Sequence, residues 1–585
     1  MIHYQIQASD PHAHLFRVEI RTDIAASQQQ FSLPAWLPGS YMIRDFARHL
    51  IDIRAFDSND EEIALTQLDK QTWQADNHSG SLTICYQVYA WDLSVRGAHL
   101  DQTHGFFNGS ATFVALHGLE DKPVTMELLP PVGDGYDDWK VATAMPLDGA
   151  KLYGFGRYRA ADYAELIDHP VEIGDFTVAT FEAAGVPHDL VLSGRHWADT
   201  DRICADLKKI CEKQIALFGG APFDRYLFMT QVVGSGFGGL EHRASTALVC
   251  GRNDLPSVTE TELSEGYRTF LSLCSHEYFH NWNIKRIKPA VFTPYDLSQE
   301  SYTNQLWAYE GITSYFDDLT VYRAGCIDAE TYLEQVSQLM TRVTRGPGRL
   351  LQTLRDSSTN AWTKFYKQDE NAQNAIVSYY TKGSMFALYL DLTIRLETYN
   401  NHSLDDVMVQ LWRQYGQTGI GTNDNSHQRI VESLLGRNAD DLFAWLDNSD
   451  DLPLPELLAQ FGCQMTLRNH AGANDKGGKA SNVNQLDLGA RYSSGSNGAE
   501  ITTVRNGSAA HQAGLAAGDK LIAINNLQVS GDVEQMLAKY RQGQRLPIHW
   551  FRRDELMTSI LELRAAEPDT VSITISDEAL LSRWL

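Results

Sequence analysis

The segment His276-Glu277-Tyr278-Phe279-His280 contains residue types that bind metal ions and move protons. On a helix, positions i and i+4 share a face, so His276 and His280 can both point at one ion. Two neutral imidazoles suit zinc. Glu277 lies beside them, where it can take a proton from an attacking water. The pattern predicts a hydrolytic zinc site, and the alternative is a helix with two unrelated histidines.

A catalytic zinc ion takes three protein ligands and keeps one position open for water, so a third ligand is needed. Glu310 lies on the next strong helical pattern, with 29 residues between it and His280. Glu300 is nearer in sequence but lies in DLSQES, a segment typical of a cap or loop. We therefore predict one Zn²⁺ per chain, held by His276, His280 and Glu310.

These ligand motifs resemble those of the gluzincin metallopeptidases, whose third ligand is a glutamate on the following helix. Most members of the related aminopeptidase N family have fewer residues between the second histidine and that glutamate than the 29 found here. The longer spacing, the intervening HNWNIKRIKP and PYDL, and the segments PAWLPGSYMIRDFARHL (34–50) and FFNGS are similar to the glycyl aminopeptidase family. The resemblance covers nearly the whole chain. It implies a zinc aminopeptidase that hydrolyses the N-terminal residue of peptides and prefers glycine or alanine there.

The segment Gly238-Gly239-Leu240-Glu241-His242 resembles the Gly-x-Met-Glu-Asn exopeptidase motif of aminopeptidases, with Leu240 for Met and His242 for Asn. The resemblance implies that Glu241 binds the α-amino group of the substrate. Gly238 and Gly239 would let the backbone approach the substrate closely. Without the resemblance, the same residues are typical of an ordinary turn.

Tyr380, in Tyr380-Thr381-Lys382-Gly383, resembles the tyrosine of the Tyr-x-Lys-Gly motif of aminopeptidases, which stabilises the tetrahedral oxyanion. Tyr379 is the alternative candidate for this role. Without the resemblance, Tyr380 is interpreted as an ordinary tyrosine of the protein core. The basic run Lys285–Lys288 has two interpretations, steering of substrate carboxylates or a structural role.

The chain as a whole predicts a multidomain α+β protein. Alternating runs separated by turn residues predict an N-terminal all-β domain at 1–170. Residues 171–460 have a mixed helix and strand pattern up to about 250 and are predicted to be helical from 261 to about 460. The family resemblance implies that they form a thermolysin-like zincin catalytic domain with an α-helical extension. A helix is predicted at 198–217, and strands at 226–233 and 245–250.

We predict a PDZ domain at 461–566, with a mobile loop at about 469–485, and a C-terminal tail at 567–585. The run from Val504 to Asp519 resembles PDZ domains of bacterial serine proteases. Such domains bind peptide ends by strand addition, and Leu488-Gly489-Ala490 is the candidate carboxylate-binding loop. The alternative is a PDZ domain that only packs on the catalytic domain.

Composition limits the partners. The 49 basic and 74 acidic residues give a net charge of −25, which argues against nucleic-acid binding and against anionic membranes. Seven cysteines, an odd number, suggest reduced thiols. The N-terminus lacks the pattern of a signal peptide, so we expect a cytoplasmic protein.

Two other functional classes stay open at this stage. One is a zinc endopeptidase with the same site, which would cleave N-blocked peptides. The other is a peptide-binding scaffold built on the PDZ domain. The combination of three zinc ligands with Glu277 argues against the scaffold, because a scaffold has no need of a general base.

Overall fold

The computed structural model describes residues 2–76, 80–472, 474–479, 483 and 485–585. Of the predicted mobile loop at 469–485, residues 473, 480–482 and 484 lie outside the described residues. The chain forms two compact units. The first comprises Met1–Tyr302, Arg323–Cys326 and Leu411–Thr422, and the second comprises Thr303–Tyr322, Ile327–Gln410 and Asn423–Leu585.

None of the helices in the described part of the chain combines the length and the apolar character that crossing a bilayer requires. All seven cysteines are unpaired thiols, as predicted.

The N-terminal part of the first unit is built of β-sheets. In Ile2–Asp10, side chains alternate between buried and half-buried, as expected for a strand with one face on a core. This strand pairs antiparallel with Leu15–Thr22 and parallel with Val124–Leu129. The largest sheet has seven strands, in the spatial order Gly156–Ala160, Val124–Leu129, Ile2–Asp10, Leu15–Thr22, Leu82–Tyr89, Leu50–Phe56 and Glu62–Ile63.

Two four-stranded sheets complete this region. One has the order Lys140–Ala142, Val171–Gly174, His104–Phe107 and Ala98–Leu100, and the other Ala115–Leu116, Gln28–Ser32, Thr72–Asp76 and Leu65–Gln67. The predicted all-β character is confirmed. The described residues add the short helix Tyr163–Ile167, which the strand pattern does not predict and which Asp162 caps by accepting a hydrogen bond from the Glu165 N–H.

The first unit also contains a five-stranded sheet, with the order Thr177–Ala183, Val186–Ser193, Tyr226–Val233, Ser245–Gly251 and Phe237–Glu241. The strands predicted at 226–233 and 245–250 are confirmed. The helix predicted at 198–217 spans Thr200–Phe218. Asp199 caps its first turn, and Gly219 ends it with a φ of 77°. A second helix, Glu265–Phe279, carries the HEYFH motif and is named the HEYFH helix below.

From residue 303 to about 460 the chain is helical, as predicted. The prediction of helical chain from 261 onward is wrong between Phe279 and residue 303, where Pro289 and Pro294 disfavour a helix. The α-helices are Ile312–Arg323, Ala329–Thr344, Leu354–Thr359, Ala372–Ala375, Thr381–Glu397, Leu404–Leu411, Ser426–Leu435, Asp440–Phe443 and Leu454–Ala459. Three π-helical turns interrupt them, at Trp307–Gly311, Ala361–Phe365 and Trp412–Gly416. Thr381–Glu397 is buried all round from Lys382 to Ile394, so it is a core helix rather than an amphipathic surface helix.

The last part of the second unit is a sheet with two short helices. Its strands are Ala490–Gly495, Gly498–Val504, Lys520–Ile524, Arg545–Arg552 and Glu555–Glu562, with Leu527–Gln528 beside Lys520–Ile524, and its helices are Ala509–Gln512 and Val533–Leu537. A separate pair joins Leu486–Asp487 to Arg564–Ala565. Residues 567–585 contain the strand Thr570–Ile575, which pairs with Cys463–Arg468, and the helix Glu578–Leu581.

Candidate metal and peptide site

The HEYFH helix presents two imidazoles on one face. Ser264 caps its N-terminus by accepting a hydrogen bond from the Tyr267 N–H. The ring centroids of His276 and His280 are 4.6 Å apart. His280 Nδ1 lies 2.8 Å from the Asn283 carbonyl oxygen, so Nδ1 carries the proton and Nε2 keeps its lone pair. A backbone acceptor behind a histidine is the arrangement that orients metal ligands, so His280 fits a metal site.

Two carboxylates of the first unit converge on His280. One ligand atom from each of Glu241, Glu277 and His280 lies within 4.8 Å of the other two, and all three residues are buried. Buried carboxylates are costly unless they have partners, so this cluster is suited to binding cationic groups. Glu241 reaches the cluster from an edge strand and the other two residues from the HEYFH helix and its C-terminal end.

The glycine-rich stretch at 234–242 forms the edge strand Phe237–Glu241, antiparallel to Ser245–Gly251, rather than a turn. A Cβ on Gly239 would lie 2.1 Å from Glu277 Oε1, so no larger residue fits beside the candidate general base. Around Gly238 there is more space, since the nearest atom to its Cβ position is Arg96 Nη1 at 3.9 Å. Arg96 Nη2 also donates to the Gly239 carbonyl, over 3.2 Å. In this structure Gly239 therefore makes room for Glu277.

Sequence reasoning missed Gly39, which lies against Glu241. Its φ is 89°, and a Cβ there would come within 2.5 Å of both Glu241 carboxylate oxygens. Glu241 is 4% exposed, and its Oε1 has no hydrogen-bond partner among the described residues. A buried carboxylate oxygen without a hydrogen-bond donor is expected at a site that binds a cationic ligand. The PAWLPGSYM segment that contains Gly39 was noticed only through the family resemblance.

Asp168 gathers three cationic or donor groups behind the edge strand. Its carboxylate lies 2.7 Å from Lys285 Nζ, 3.1 Å from His242 Nδ1 and 2.9 Å from Arg243 Nε. Burial alone would raise the pKa of Asp168, but Lys285, His242 and Arg243 outweigh it and hold that pKa well below its usual range. Lys285 is thus ion-paired.

The rest of the basic run also has structural contacts. Arg286 donates to the carbonyls of Asn281, Pro222 and Arg243. Lys288 Nζ lies 4.8 Å from the centroid of the Tyr295 ring. These contacts favour the structural interpretation of Lys285–Lys288 over the steering of substrate carboxylates.

In the second unit, two motif glycines pack two helical segments together. Glu310 is buried on the π-helical turn Trp307–Gly311. A Cβ on Gly311 would lie 2.6 Å from the Gly383 backbone, and a Cβ on Gly383 would lie 2.9 Å from the Gly311 Cα. The Glu-Gly pair and the Tyr-x-Lys-Gly motif thus belong to one packed contact, which requires both glycines.

Tyr380 and Tyr379 differ in access to solvent. Tyr379 is fully buried, and burial raises its pKa well above the usual range. Tyr380 is half-buried at the N-cap of Thr381–Glu397 and stacks on Phe365 with 5.5 Å between ring centroids. Of the two, Tyr380 has the exposure that contact with a substrate requires.

Three domain families match the chain. They are the Peptidase M61 N-terminal domain over residues 3–175, the M61 glycyl aminopeptidase over 269–386, and the PDZ domain over 500–544. The middle match contains the HEYFH motif, Glu310 and Tyr380. A comparison with curated proteins found no match.

Solved structures give a full-length counterpart. The crystal structure of an aminopeptidase N family protein from Idiomarina loihiensis superposes with a TM-score of 0.98 at 46% sequence identity and covers 100% of both chains. A crystal structure of an M1 zinc metallopeptidase from Deinococcus radiodurans gives a TM-score of 0.47 at 12% identity, covering 78% of this chain and 94% of that one.

These matches define a metallo-aminopeptidase, a hydrolase of peptide bonds. The chain belongs to the M61 glycyl aminopeptidase family. The predicted fold class is confirmed: an N-terminal all-β domain, a catalytic region with a helical extension, and a C-terminal PDZ domain.

Proposed function

We propose that the chain is a zinc aminopeptidase in which His276, His280 and Glu310 bind one zinc ion. Two imidazoles with one carboxylate are the donors of many catalytic zinc sites. One observation carries the exopeptidase assignment, the convergence of Glu241 and Glu277 on His280. It supports Glu241 as the proposed partner of a substrate ammonium group, beside the proposed general base and a proposed zinc ligand.

The proposed mechanism divides the work among four groups. Zinc, when bound, supplies a Lewis acid that polarises the scissile carbonyl and the water. Glu277 accepts the proton of the attacking water and delivers it to the leaving amine. Glu241 binds the free α-ammonium group, so the first peptide bond is the one held beside Glu277. Tyr380 donates a hydrogen bond to the developing oxyanion.

Peptides with a free N-terminus are the proposed substrates, with glycine or alanine preferred at the first position. The family assignment supports this preference. A panel of aminoacyl p-nitroanilides tests it: the glycyl and alanyl compounds should be hydrolysed fastest, and a metal chelator should abolish activity until zinc is restored. Activity that survives complete removal of the metal would contradict the proposed function.

The third ligand is tested by metal content. Purified enzyme should contain about one zinc per chain, as a single three-ligand catalytic site requires. Glu310→Ala removes one of three ligands, so its zinc content and its activity should both fall by more than half. Glu300→Ala, at the exposed alternative position, is the matched control and should keep both. Loss of zinc in the Glu300 variant alone would show that Glu300, and not Glu310, is the third ligand.

The two adjacent tyrosines give a second matched pair. Tyr380→Phe deletes the proposed oxyanion donor, and deletion of one such donor costs about 10²–10³-fold in kcat. Tyr379→Phe keeps the buried ring and should change kcat only a few-fold. Steady-state kinetics on one substrate compares the two variants. A large kcat loss in Tyr379→Phe with normal kcat in Tyr380→Phe would reverse the assignment.

For the PDZ domain we propose packing as the first role and peptide binding as a further one. Asn374, in the helical region of the same unit, donates to the Val504 carbonyl and accepts from the Asn506 N–H. In the candidate carboxylate-binding loop, the Gly489 N–H already donates to Asp487 Oδ1, over 2.8 Å.

We also propose that the protein is located in the cytoplasm, which its seven unpaired cysteines support.

A further inference from the structure

A second group of metal-ligand side chains lies in the N-terminal β-domain. His99 is on the strand Ala98–Leu100, His104 begins the paired strand His104–Phe107, and Asp101 lies in the turn between them. One ligand atom from each of the three lies within 4.8 Å of the other two. We propose that this group, called the hairpin site below, binds a divalent transition-metal ion such as Zn²⁺ or Co²⁺.

The register of the hairpin puts the three side chains on one face. His99 pairs with Phe106, and residues two apart on a strand share a face, so His104 and Asp101 lie on the same side as His99. The imidazole centroids of His99 and His104 are 4.9 Å apart. Ligands that alternate along two paired strands need no backbone change to meet at one ion.

His104 is oriented as a metal ligand is. Its Nδ1 lies 2.9 Å from Glu172 Oε1, and Glu172 is 2% exposed. Glu172 also accepts a hydrogen bond from Ser193 Oγ at 2.5 Å, which fixes the carboxylate. The Nδ1–H therefore points at Glu172, and Nε2 keeps its lone pair. A carboxylate behind a histidine in this way sets the tautomer and raises the basicity of the ligating nitrogen.

Asp101 is held in place by its own turn. Its Oδ1 accepts hydrogen bonds from the Thr103 N–H, the Thr103 hydroxyl and the His104 N–H. Its Oδ2 lies 3.3 Å from His99 Nε2. One carboxylate oxygen thus fixes the side chain, and the other lies beside the His99 ring.

His99 uses less of its hydrogen-bonding capacity than a buried structural histidine would. It is 5% exposed, and its Nδ1 has no hydrogen-bond partner among the described residues. A buried ring nitrogen without a partner is free to act as a metal ligand.

The donor set and the exposure define the ion and its affinity. Two imidazoles and one carboxylate suit zinc and its neighbours in the first transition row, whereas Ca²⁺ and Mg²⁺ prefer oxygen donors alone. Asp101 is about one-quarter exposed, at 23%, so water reaches the site. We therefore expect weaker binding here than at the HEYFH motif, with the hairpin site filled when metal is supplied.

The test separates the hairpin site from the catalytic one. In His276→Ala/His280→Ala protein, which lacks two proposed catalytic ligands, Co²⁺ titration followed by visible absorption should still show one bound ion per chain. Adding His99→Asn/His104→Asn should abolish that binding. Adding His49→Asn/His117→Asn, two histidines of the same β-domain outside the hairpin site, should leave it unchanged.

A milder variant guards against misfolding. In the same background, Glu172→Gln keeps all three ligands but removes the carboxylate behind His104, and such changes weaken metal affinity by about 10–100-fold. Thermal melts in metal-free buffer report whether each variant is folded. The proposal is overturned if the folded background variant binds no Co²⁺, or if binding persists with both hairpin histidines replaced.

Discussion

Replacing Glu277 by glutamine is expected to remove most of the turnover while leaving zinc in place. Glutamine has nearly the same size and fits beside Gly239, but it cannot accept the proton of the attacking water. General acid–base catalysis by a positioned side chain contributes about 10²–10⁴-fold, so kcat should fall by that factor. Metal analysis and steady-state kinetics on the same preparation measure both quantities.

The retained zinc is what makes this variant informative. Glu310→Ala is its comparison, because that change should lose metal and activity together, whereas Glu277→Gln should lose activity alone. Near wild-type kcat in a zinc-loaded Glu277→Gln preparation would show that another group is the base. Equal loss of zinc in both variants would show that Glu277 acts mainly through the metal.

Replacing Glu241 by glutamine should lower kcat/KM for free-amine substrates by about 100-fold or more. The substrate ammonium group then lacks its proposed ion-pair partner in a buried site, and removing one partner of such a buried pair costs about 2–5 kcal/mol. The unpartnered Oε1 and the tight fit against Gly39 make the carboxylate, rather than its volume, the decisive feature. Kinetics on a glycyl or alanyl substrate measures the loss.

Two controls limit the interpretation of that result. N-acetylated substrates lack the ammonium group, so the Glu241→Gln variant should be no worse with them than the wild type. Glu182→Gln, on an exposed strand of the same unit, removes an acidic charge away from the site and should leave kcat/KM unchanged. An equal loss with acetylated and free-amine substrates would mean that Glu241 does not recognise the N-terminus.

Local patterns predicted the parts of the site that lie on one helix. His276, Glu277 and His280 follow from helical periodicity, which fixes which positions share a face. The Asn283 carbonyl behind His280 is within a few residues and still escaped prediction, because a backbone acceptor has no residue type to mark it.

Long-range contacts of the site could not be read from one sequence. Gly39 meets Glu241 across about 200 residues of chain, and Asp168 meets Lys285 across 117. Nothing in the local pattern around any of these residues names its partner. The steric requirement for glycine at position 239 could not be predicted either, because Glu277, which needs the space, lies on a different element.

Element types were easier to predict than local irregularities. The helix at Thr200–Phe218 and the strand at Tyr226–Val233 follow from periodicity and end residues. The π-helical turn at Trp307–Gly311 does not, because such turns are rare within α-helices and no residue type marks them. The edge strand Phe237–Glu241 was missed because two glycines are rare within strands.

The measurement that tests the central claim most directly is product analysis of one peptide in two forms. A defined peptide with an N-terminal glycine or alanine is digested as the free amine and as its N-acetyl derivative, with and without chelator, and the products are identified by mass spectrometry. The account predicts removal of the first residue from the free-amine peptide alone, and no cleavage in chelator. Internal fragments, or equal cleavage of the acetylated peptide, would show an endopeptidase and contradict the assignment of Glu241.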